Sequence, residues 1–405
     1  MFKVGVGHGI DPDSAGAIEE VLEQCEQALG GETPTAGILL SAIDFEHEAI
    51  ILRIRQTYPN ITLIGGTSVG ELSSEMGFQQ DSLTLMLFCS DEVTFQAGAG
   101  KRSSADAIAA AKEAIAQANQ HPSPAGNKAS GDNTPEPLKL CYVLGDGLLV
   151  DAVAMVNGLR EATANKVPII GGLTADDWKF KNTYQFISTP EATEILQDSV
   201  VVLTFAGNLK VSYSVASGQR PIGPKATVTK STGGTIYEID DRPAIDFYVS
   251  TLGIEEVKLA GGGGWAGAVA VYEQDSTKFY LRAPNGNAHA DGSVTFFGHI
   301  TEHSTIQLVE TDNNSLLASA KEAFQVALSA YSGEAPAAAL LVSCASRLKA
   351  LGTRVDQEYA LTQECLSHPL PMIGFYSFGE ISPFTEQTLP HFHNETFVAL
   401  LLGTH

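Results

Sequence analysis

Basic residues are scarce in this chain. Lys and Arg number 24 against 47 Asp and Glu, a formal net charge of -23 over 405 residues. Phosphate backbones and anionic lipid surfaces repel such a protein, so neither nucleic acid nor membrane insertion is expected. Long apolar runs are missing as well. The longest, such as 83–89 and 200–203, fall short of the ~18–20 residues that cross a bilayer. The start, Met1 to His8, has no extended apolar region and no cleavage site, so a secretory leader is not expected. Cysteine is sparse: Cys25, Cys89, Cys141, Cys344 and Cys365 are odd in number and form no Cys-x-x-Cys pair. That points to reduced thiols in a cytoplasm, away from a disulfide framework or a zinc site. Also absent are a Gly-x-Gly-x-x-Gly loop, a Walker loop and His-Glu-x-x-His.

Apolar material is plentiful. Hydrophobic residues make up 44% of the chain and charged residues 18%, which excludes disorder of the whole. The length exceeds the ~250–300 residues at which one core stops growing, so two or three units are expected.

The chain repeats itself. Ile64-Gly65-Gly66-Thr67-Ser68-Val69-Gly70-Glu71 matches Ile373-Gly374-Phe375-Tyr376-Ser377-Phe378-Gly379-Glu380 as Ile-Gly-x-x-Ser-x-Gly-Glu. A degenerate copy reads Ile170-Gly171-Gly172-Leu173-Thr174, followed by Asp176-Asp177. Before the copies lie strand-like runs at 37–42, 139–144 and 339–344, then helical stretches at 46–57, 150–164 and 355–367. Further upstream, apolar residues fall at helical spacing: Ile18, Val21, Leu22, Cys25 and Leu29; Ile108, Ala111 and Ile115; Leu316, Leu317, Ala320, Phe324 and Leu328. Small polar residues near 14, 103–106 and 314–315 suit their N-caps. Trailing strands are expected at 82–88, 199–205 and 396–402. The unit therefore reads β-α-β-α-β-β. Helical crossovers imply parallel pairing, with the trailing strand as an antiparallel edge.

The fold class is α/β, with repeated units, mixed and largely parallel sheets, and two domains. The first, 1–207, holds two units and a surface insertion at 119–137 rich in Pro, Gly, Asn and Ser. The second, 208–405, holds a stretch of antiparallel character at 208–300, with a helix near 243–252 and turns at 261–264 and 284–292, and then the third unit.

Candidate site residues follow from placement at strand ends, where open parallel sheets bind ligands. Gly65 and Gly66 allow close approach of a ligand to backbone N–H groups, or else pack strands closely. Glu71 and Glu380 recur at one spacing. Gly66-Thr67-Ser68-Val69-Gly70 satisfies Gly-x-Ser-x-Gly, which offers Ser68 as a hydrolase nucleophile, but no helix pattern follows it and no His stands at a recognisable spacing. Cys344 and Arg347 follow the third unit's central strand. The thiol is either reactive or a buried structural Cys, and the planar guanidinium suits a carboxylate. His391 and His393 share one face of a strand; a hydrogen-bonded pair and an axial haem ligand both suit them. Asp11-Pro12-Asp13 and Asp176-Asp177 read as turn or capping residues.

These residues resemble a known family. The first motif is similar to the hallmark of the FIST N domain. The segment from Gly374 to Ile381, with His393-Asn394-Glu395-Thr396, is similar to the end of the FIST C domain, and Tyr237 to Ala244 to its start. The resemblance implies a non-enzymatic sensory module that binds a small molecule, an amino acid or similar zwitterion, in signal transduction. It implies no resident cofactor, with a haem nitric oxide sensor on His391 or His393 as the alternative. Sensor sequence fills the chain, so a separate histidine kinase or other output protein is expected as partner. In this reading Arg347 holds the ligand carboxylate and Glu380 or Glu71 its ammonium. Gly65, Gly66, Thr67, Ser68, Cys344, Gly374, Tyr376 and Asn394 complete the site.

Overall fold

A computed structural model describes residues 1–120, 136–253, 267–272, 278–286, 288–385 and 388–405. The expected turn at 261–264 lies outside the described residues, as does most of the expected insertion at 119–137.

All three units are present, and each is longer than the sequence pattern alone suggests. The first runs through strand Phe2–Gly9, helix Ser14–Leu29, strand Ala36–Ala42, helix His47–Thr57 and the motif strand Thr62–Ser68. A short hairpin, Glu71–Ser73 with Gly77–Gln79, precedes its trailing strand Leu83–Ser90. The second repeats this order from Val93–Lys101 to Ser199–Gly207, with motif strand Ile169–Leu173 and hairpin Gln185–Ser188 with Thr193–Leu196. The third opens with Lys210–Ala216 and resumes at helix Asn313–Ala330. It continues through Ala338–Cys344, two helices (Ala345–Leu351 and Val355–Gln363), motif strand Met372–Ser377, hairpin Glu380–Pro383 with Pro390–His393, and Phe397–Gly403.

Local chemistry explains the repetition. The first helix of each unit starts at an aspartate whose carboxylate accepts a backbone N–H one turn on: Asp13 from Gly16, Asp106 from Ala109, and Asp312 from Asn314 and Ser315. The apolar stripes read from the sequence are the faces these helices bury, including Ile18, Val21, Leu22, Cys25, Leu316 and Phe324.

Each unit contributes one six-stranded mixed sheet. The second strand and the motif strand pair in parallel, as in 36–42 with 62–68. The described pairs otherwise run antiparallel, so antiparallel pairs outnumber parallel ones in every sheet. The trailing strand is not an edge. It lies between the first and second strands of its own unit and is buried along its length in the first unit. The reason is hydrogen bonding: this wholly buried strand finds backbone partners on both sides only in the middle of a sheet.

The outer edge is closed by exchange. The hairpin of the second unit pairs with the motif strand of the first, Phe186 opposite Gly65. The third unit's hairpin pairs with the second, Ile381 opposite Gly171. The first unit's hairpin pairs with the third, Leu72 opposite Gly374. Each motif strand is thereby covered, and the short outer strand of a hairpin becomes the edge of the sheet. The hairpins cross the expected 207/208 boundary in both directions.

One core joins the three sheets. Val6, Ile38 and Phe88 meet Phe95, Tyr142 and Phe205, and these meet Tyr213, Val342 and Phe375. Phe88, Phe95 and Phe205 form an aromatic cluster with ring centroids 5.1–5.7 Å apart. Helices cover the outer faces with their own smaller cores. A β-rich insertion fills 217–310, between the third unit's first strand and first helix. It has a separate core around Val228, Tyr248 and Phe296, and includes the expected helix at Ala244–Leu252.

Candidate functional site

Most of the repeated motif holds the fold together. A Cβ at Gly65 would collide with the Leu39 carbonyl oxygen, and one at Gly374 with that of Leu341, so these glycines let neighbouring strands approach. A Cβ at Gly66 would strike Thr174. The N–H groups beside these glycines lie within strand ladders. Thr67 is buried and clamps the first unit to the second: its hydroxyl accepts from the Tyr184 N–H at 3.1 Å, and its carbonyl accepts from the Ala175 N–H at 2.8 Å. Gly65, Gly66, Thr67 and Gly374, expected to border a ligand, pack strands here and do not line the cleft described below.

Ser68 and Glu71 form a buried pair, with Ser82 donating to the second carboxylate oxygen. Ser377 and Glu380 repeat it at 2.8 Å, and the Thr396 N–H and hydroxyl bind the other oxygen of Glu380 at 3.1 and 2.9 Å. Each Glu thus ties the motif strand to the start of the trailing strand. Burial lifts both carboxyls to about 7, against the pull of these hydrogen bonds. Ser68 has a carboxylate as its partner instead of an imidazole and does not line the main cleft. Among the described residues no imidazole is placed beside Ser68 as in a Ser–His pair.

Arg347 departs furthest from expectation. It is completely buried, and its guanidinium is saturated. Nε and Nη2 bind Glu358 at 2.9 and 2.6 Å; Nη2 also binds the Leu316 carbonyl, and Nη1 binds the Ser217 carbonyl and the Ser319 hydroxyl. Five donors meet their acceptors, so no fork remains for a ligand carboxylate. The other Glu358 oxygen accepts from Ser343 and Tyr376, both at 2.7 Å, which also withdraws Tyr376 from the candidate site. Nothing in the sequence signalled Glu358, because its partners Ser343, Arg347 and Tyr376 come from three separate elements.

His393 is buried against the Ser382 carbonyl oxygen at 2.8 Å from Nε2, and burial drives its pKa down to about 3. His391 lies on the same side, 6.3 Å away between centroids, packed near Tyr280 and Phe384. The recess beside His393 holds about 120 Å³, well under the roughly 300 Å³ of the smallest ordinary ligand pockets. A recess of that size does not enclose a porphyrin at His393. Among the described residues no group of three or more His, Cys, Asp or Glu is placed to hold a metal ion.

A cleft of about 560 Å³ opens elsewhere, where the second unit, the third unit and the insertion meet. That volume is ordinary for a small-molecule site. Residues 147–152 of the second unit form one wall, and insertion residues 283–285 and 295–299 face them. The floor is Cys344, Ser346, Ser377, Asn394 and Glu395. Aromatic rings line the rest: Phe180 stacks on Phe378 at 5.1 Å, and Trp178 lies 5.9 Å from Phe378. Trp178 and Phe180 hold left-handed φ values of 58° and 48°, an unfavourable region for bulky residues. The Asp176 carboxylate fixes this loop by accepting the N–H groups of Phe180, Lys181 and Asn182, as its reading as a turn residue implies. Three contacts anchor the insertion beside the cleft. His299 pairs with Asp151 at 2.9 Å, the Ala283 N–H donates to Asn394 Oδ1 at 3.2 Å, and Arg282 Nη1 binds the Phe392 carbonyl at 3.0 Å.

Of the expected ligand residues, Cys344 and Asn394 reach this cleft. Burial drives the Cys344 thiol well above its usual pKa, and the nearby Glu380 adds to the shift, so Cys344 is not an activated thiolate. The residue that sequence reasoning missed is Glu395. Its side chain is buried, its Oε1 has no hydrogen-bond partner, and its Oε2 accepts from Gln219 alone. Burial lifts its carboxyl to about 8, reinforced by Glu380 and opposed by Arg347. Its φ is 58°. A signal was available in the repeat: Asp81, Asp198 and Glu395 all precede the trailing strand, all at left-handed φ, and only the third is a Glu.

The FIST N domain model matches residues 15–242, and the FIST C domain model matches 244–383. The chain belongs to the FIST family. FIST domains are sensory, ligand-binding domains of signal transduction. An uncharacterised protein of Mycobacterium tuberculosis (strain H37Rv) is 23% identical over 96% of this FIST chain and 97% of its own length. An uncharacterised Methanocaldococcus jannaschii protein is 36% identical over 93 residues, 23% of this chain and 17% of that relative. Among solved structures, a cyanuric acid hydrolase covers 100% of both chains with a TM-score of 0.36 and 9% identity. Among the described residues of this FIST protein, no helix is long and apolar enough to cross a membrane.

Proposed function

We propose that this FIST protein is a cytoplasmic sensory module that takes a small molecule into the cleft between insertion and body. A separate output protein, such as a histidine kinase, then reads the bound state. The observation that carries this reading is Glu395: a buried carboxyl with one unpartnered oxygen on the floor of a pocket-sized cleft. An unmade hydrogen bond on a buried polar group costs about 1–3 kcal/mol, and a ligand donor removes that cost.

An amino acid or similar zwitterion is the first class to test. Its ammonium would sit on Glu395, in place of the Glu71 and Glu380 roles expected from sequence. With Arg347 saturated, its carboxylate would meet no guanidinium there. The insertion touches both sides of the cleft, so ligand contacts would shift its position against the units and change the surface offered to the partner. In a thermal-shift screen of amino acids, a true ligand at a hundredfold excess over Kd stabilises by about 2.7 kcal/mol. The shift should vanish in Leu149→Trp, which fills the cleft mouth from a half-exposed wall position. A shift that persists in Leu149→Trp would place the ligand elsewhere.

A further inference from the structure

We propose that the cleft recognises the ammonium end alone, so that its ligand is a small primary amine with an apolar or aromatic body seated on Glu395. This rests on the reading of the cleft as the ligand site and names the class that site takes.

Charge is the first argument. The ionisable acidic and imidazole side chains lining the cleft among the described residues are Glu395, Asp151 and His299, and His299 is engaged by Asp151. No Lys or Arg lines it among those residues. A carboxylate would enter a pocket with an acidic floor on a protein of net charge -23. A cation is drawn in by the same field.

The walls are the second argument. Trp178, Phe180 and Phe378 offer ring surface to an apolar body and a favourable setting for a cation. The loop carrying two of them is held in a costly backbone conformation by Asp176. Strain of this kind persists where surrounding structure enforces it, and it gathers at ligand sites.

Symmetry is the third. Asp198 occupies the position of Glu395 in the second unit, and its carboxylate is met by the Ser103 hydroxyl and by the Ser104 N–H and hydroxyl at 2.6–2.9 Å. Glu395 is offered one donor where Asp198 has three. The missing donors are what an ammonium supplies, since it carries three.

Proton linkage gives the proposal a signature. The groups acting on Glu395 are Glu380 and Cys344 beside it, Arg347 behind it and Gln219 on the adjoining loop. An ammonium needs Glu395 ionised, and the free carboxyl holds its proton up to about pH 8. Amine affinity should therefore rise between pH 6 and pH 8, by up to about tenfold per unit, and level off above.

The test is calorimetric titration of the full-length protein with phenethylamine, phenylalanine and 3-phenylpropanoate at pH 6, 7 and 8. Expected are tightest binding for phenethylamine, at least tenfold weaker binding for phenylalanine and none for the acid. Phenethylamine affinity should climb with pH in the wild type, and in Glu395→Gln it should fall at least tenfold at pH 8 and lose the climb. Tighter binding of phenylalanine, a flat pH profile or unchanged affinity in Glu395→Gln would overturn the proposal. Silence from all three probes would overturn the amine class. In that case a shift from another compound that Leu149→Trp abolishes would leave the cleft reading standing.

Discussion

The second and third units build the same corner from different residues. In each unit the residue that ends the second strand, or directly follows it, donates its N–H to the carbonyl of the first residue of the trailing strand or of the one just before it. The bond is 3.0 Å from Asp146 to Ser199 and 3.0 Å from Cys344 to Thr396. In the second unit the corner is closed. Asp146 Oδ2 accepts the Asp198 N–H at 2.9 Å, and Asp198 in turn binds Ser103 and Ser104. Desolvation pushes the Asp198 carboxyl up, but those bonds outweigh it and hold its pKa below the ordinary range. In the third unit a sulfur replaces the Asp146 carboxylate, and the loop bearing Ser103 and Ser104 gives way to the chain that enters the insertion. The same backbone corner is left with an unsatisfied Glu395. The lesson concerns cost. Asp is at ease at left-handed φ, whereas Glu at that φ, buried and short of donors, is a local loss that the rest of the fold sustains.

The largest way to break the comparison is to remove what sustains it. Arg347→Ala strands Glu358 as a buried charge. Urea denaturation should show a loss of about 3–5 kcal/mol, and a loss below 1 kcal/mol would mean the pair is dispensable. A smaller and opposite pair of effects sharpens it. Asp198→Ala should cost about 1–3 kcal/mol at pH 7, because buried Ser103 loses its partner and Ser104 loses two bonds. Glu395→Gln should be neutral or stabilising, increasingly so as pH rises. The sign follows from proton counts. Glu71, Glu380 and Glu395 have folded pKa values of about 7, 7 and 8, above their unfolded values, so they favour the fold at low pH and lose that contribution as pH rises towards 8. His8 and His393, lowered to about 4 and 3, act in the other direction but finish by their unfolded value of 6.5. Wild-type stability should thus fall between about pH 6.5 and 8, with Glu395 accounting for about 1.4 kcal/mol per unit. Equal slopes in wild type and Glu395→Gln would show that this carboxyl is ionised throughout. The smallest effect is at Cys344, whose burial and raised pKa predict far slower labelling by a disulfide reagent than half-buried Cys365. Rapid labelling of Cys344 would expose a thiolate.

The repeat was legible in the sequence because it is a packing rule. The Gly of each motif must lie against the carbonyl of the parallel strand, and Ser must reach Glu three residues on, so both leave a fixed spacing. Helix starts were legible through polar caps, to within a residue or two. The hairpin exchange left no such trace, since a short strand of three or four residues does not name its partner. Arg347 read as a ligand residue for the same reason: Glu358 is eleven residues away on a helix, and only the fold brings them together. The cleft was hidden because its walls come from three distant stretches. The sequence points to Asn394 and not to its neighbour Glu395, because spacing says nothing of which buried carboxyl goes unpaired.

The cyclic hairpin exchange also dictates the order in which the protein can be made. Ile373 faces Ser73, a residue synthesised 300 positions earlier. The emerging first unit therefore carries a hairpin with nowhere to pair until the last motif strand leaves the ribosome. The second sheet likewise waits for 380–393 to close its edge. Contacts this distant slow folding and leave intermediates with open strands. A message truncated before codon 372 would yield a chain in which the first unit's hairpin has lost its partner strand, and such fragments are natural substrates for chaperones and proteases.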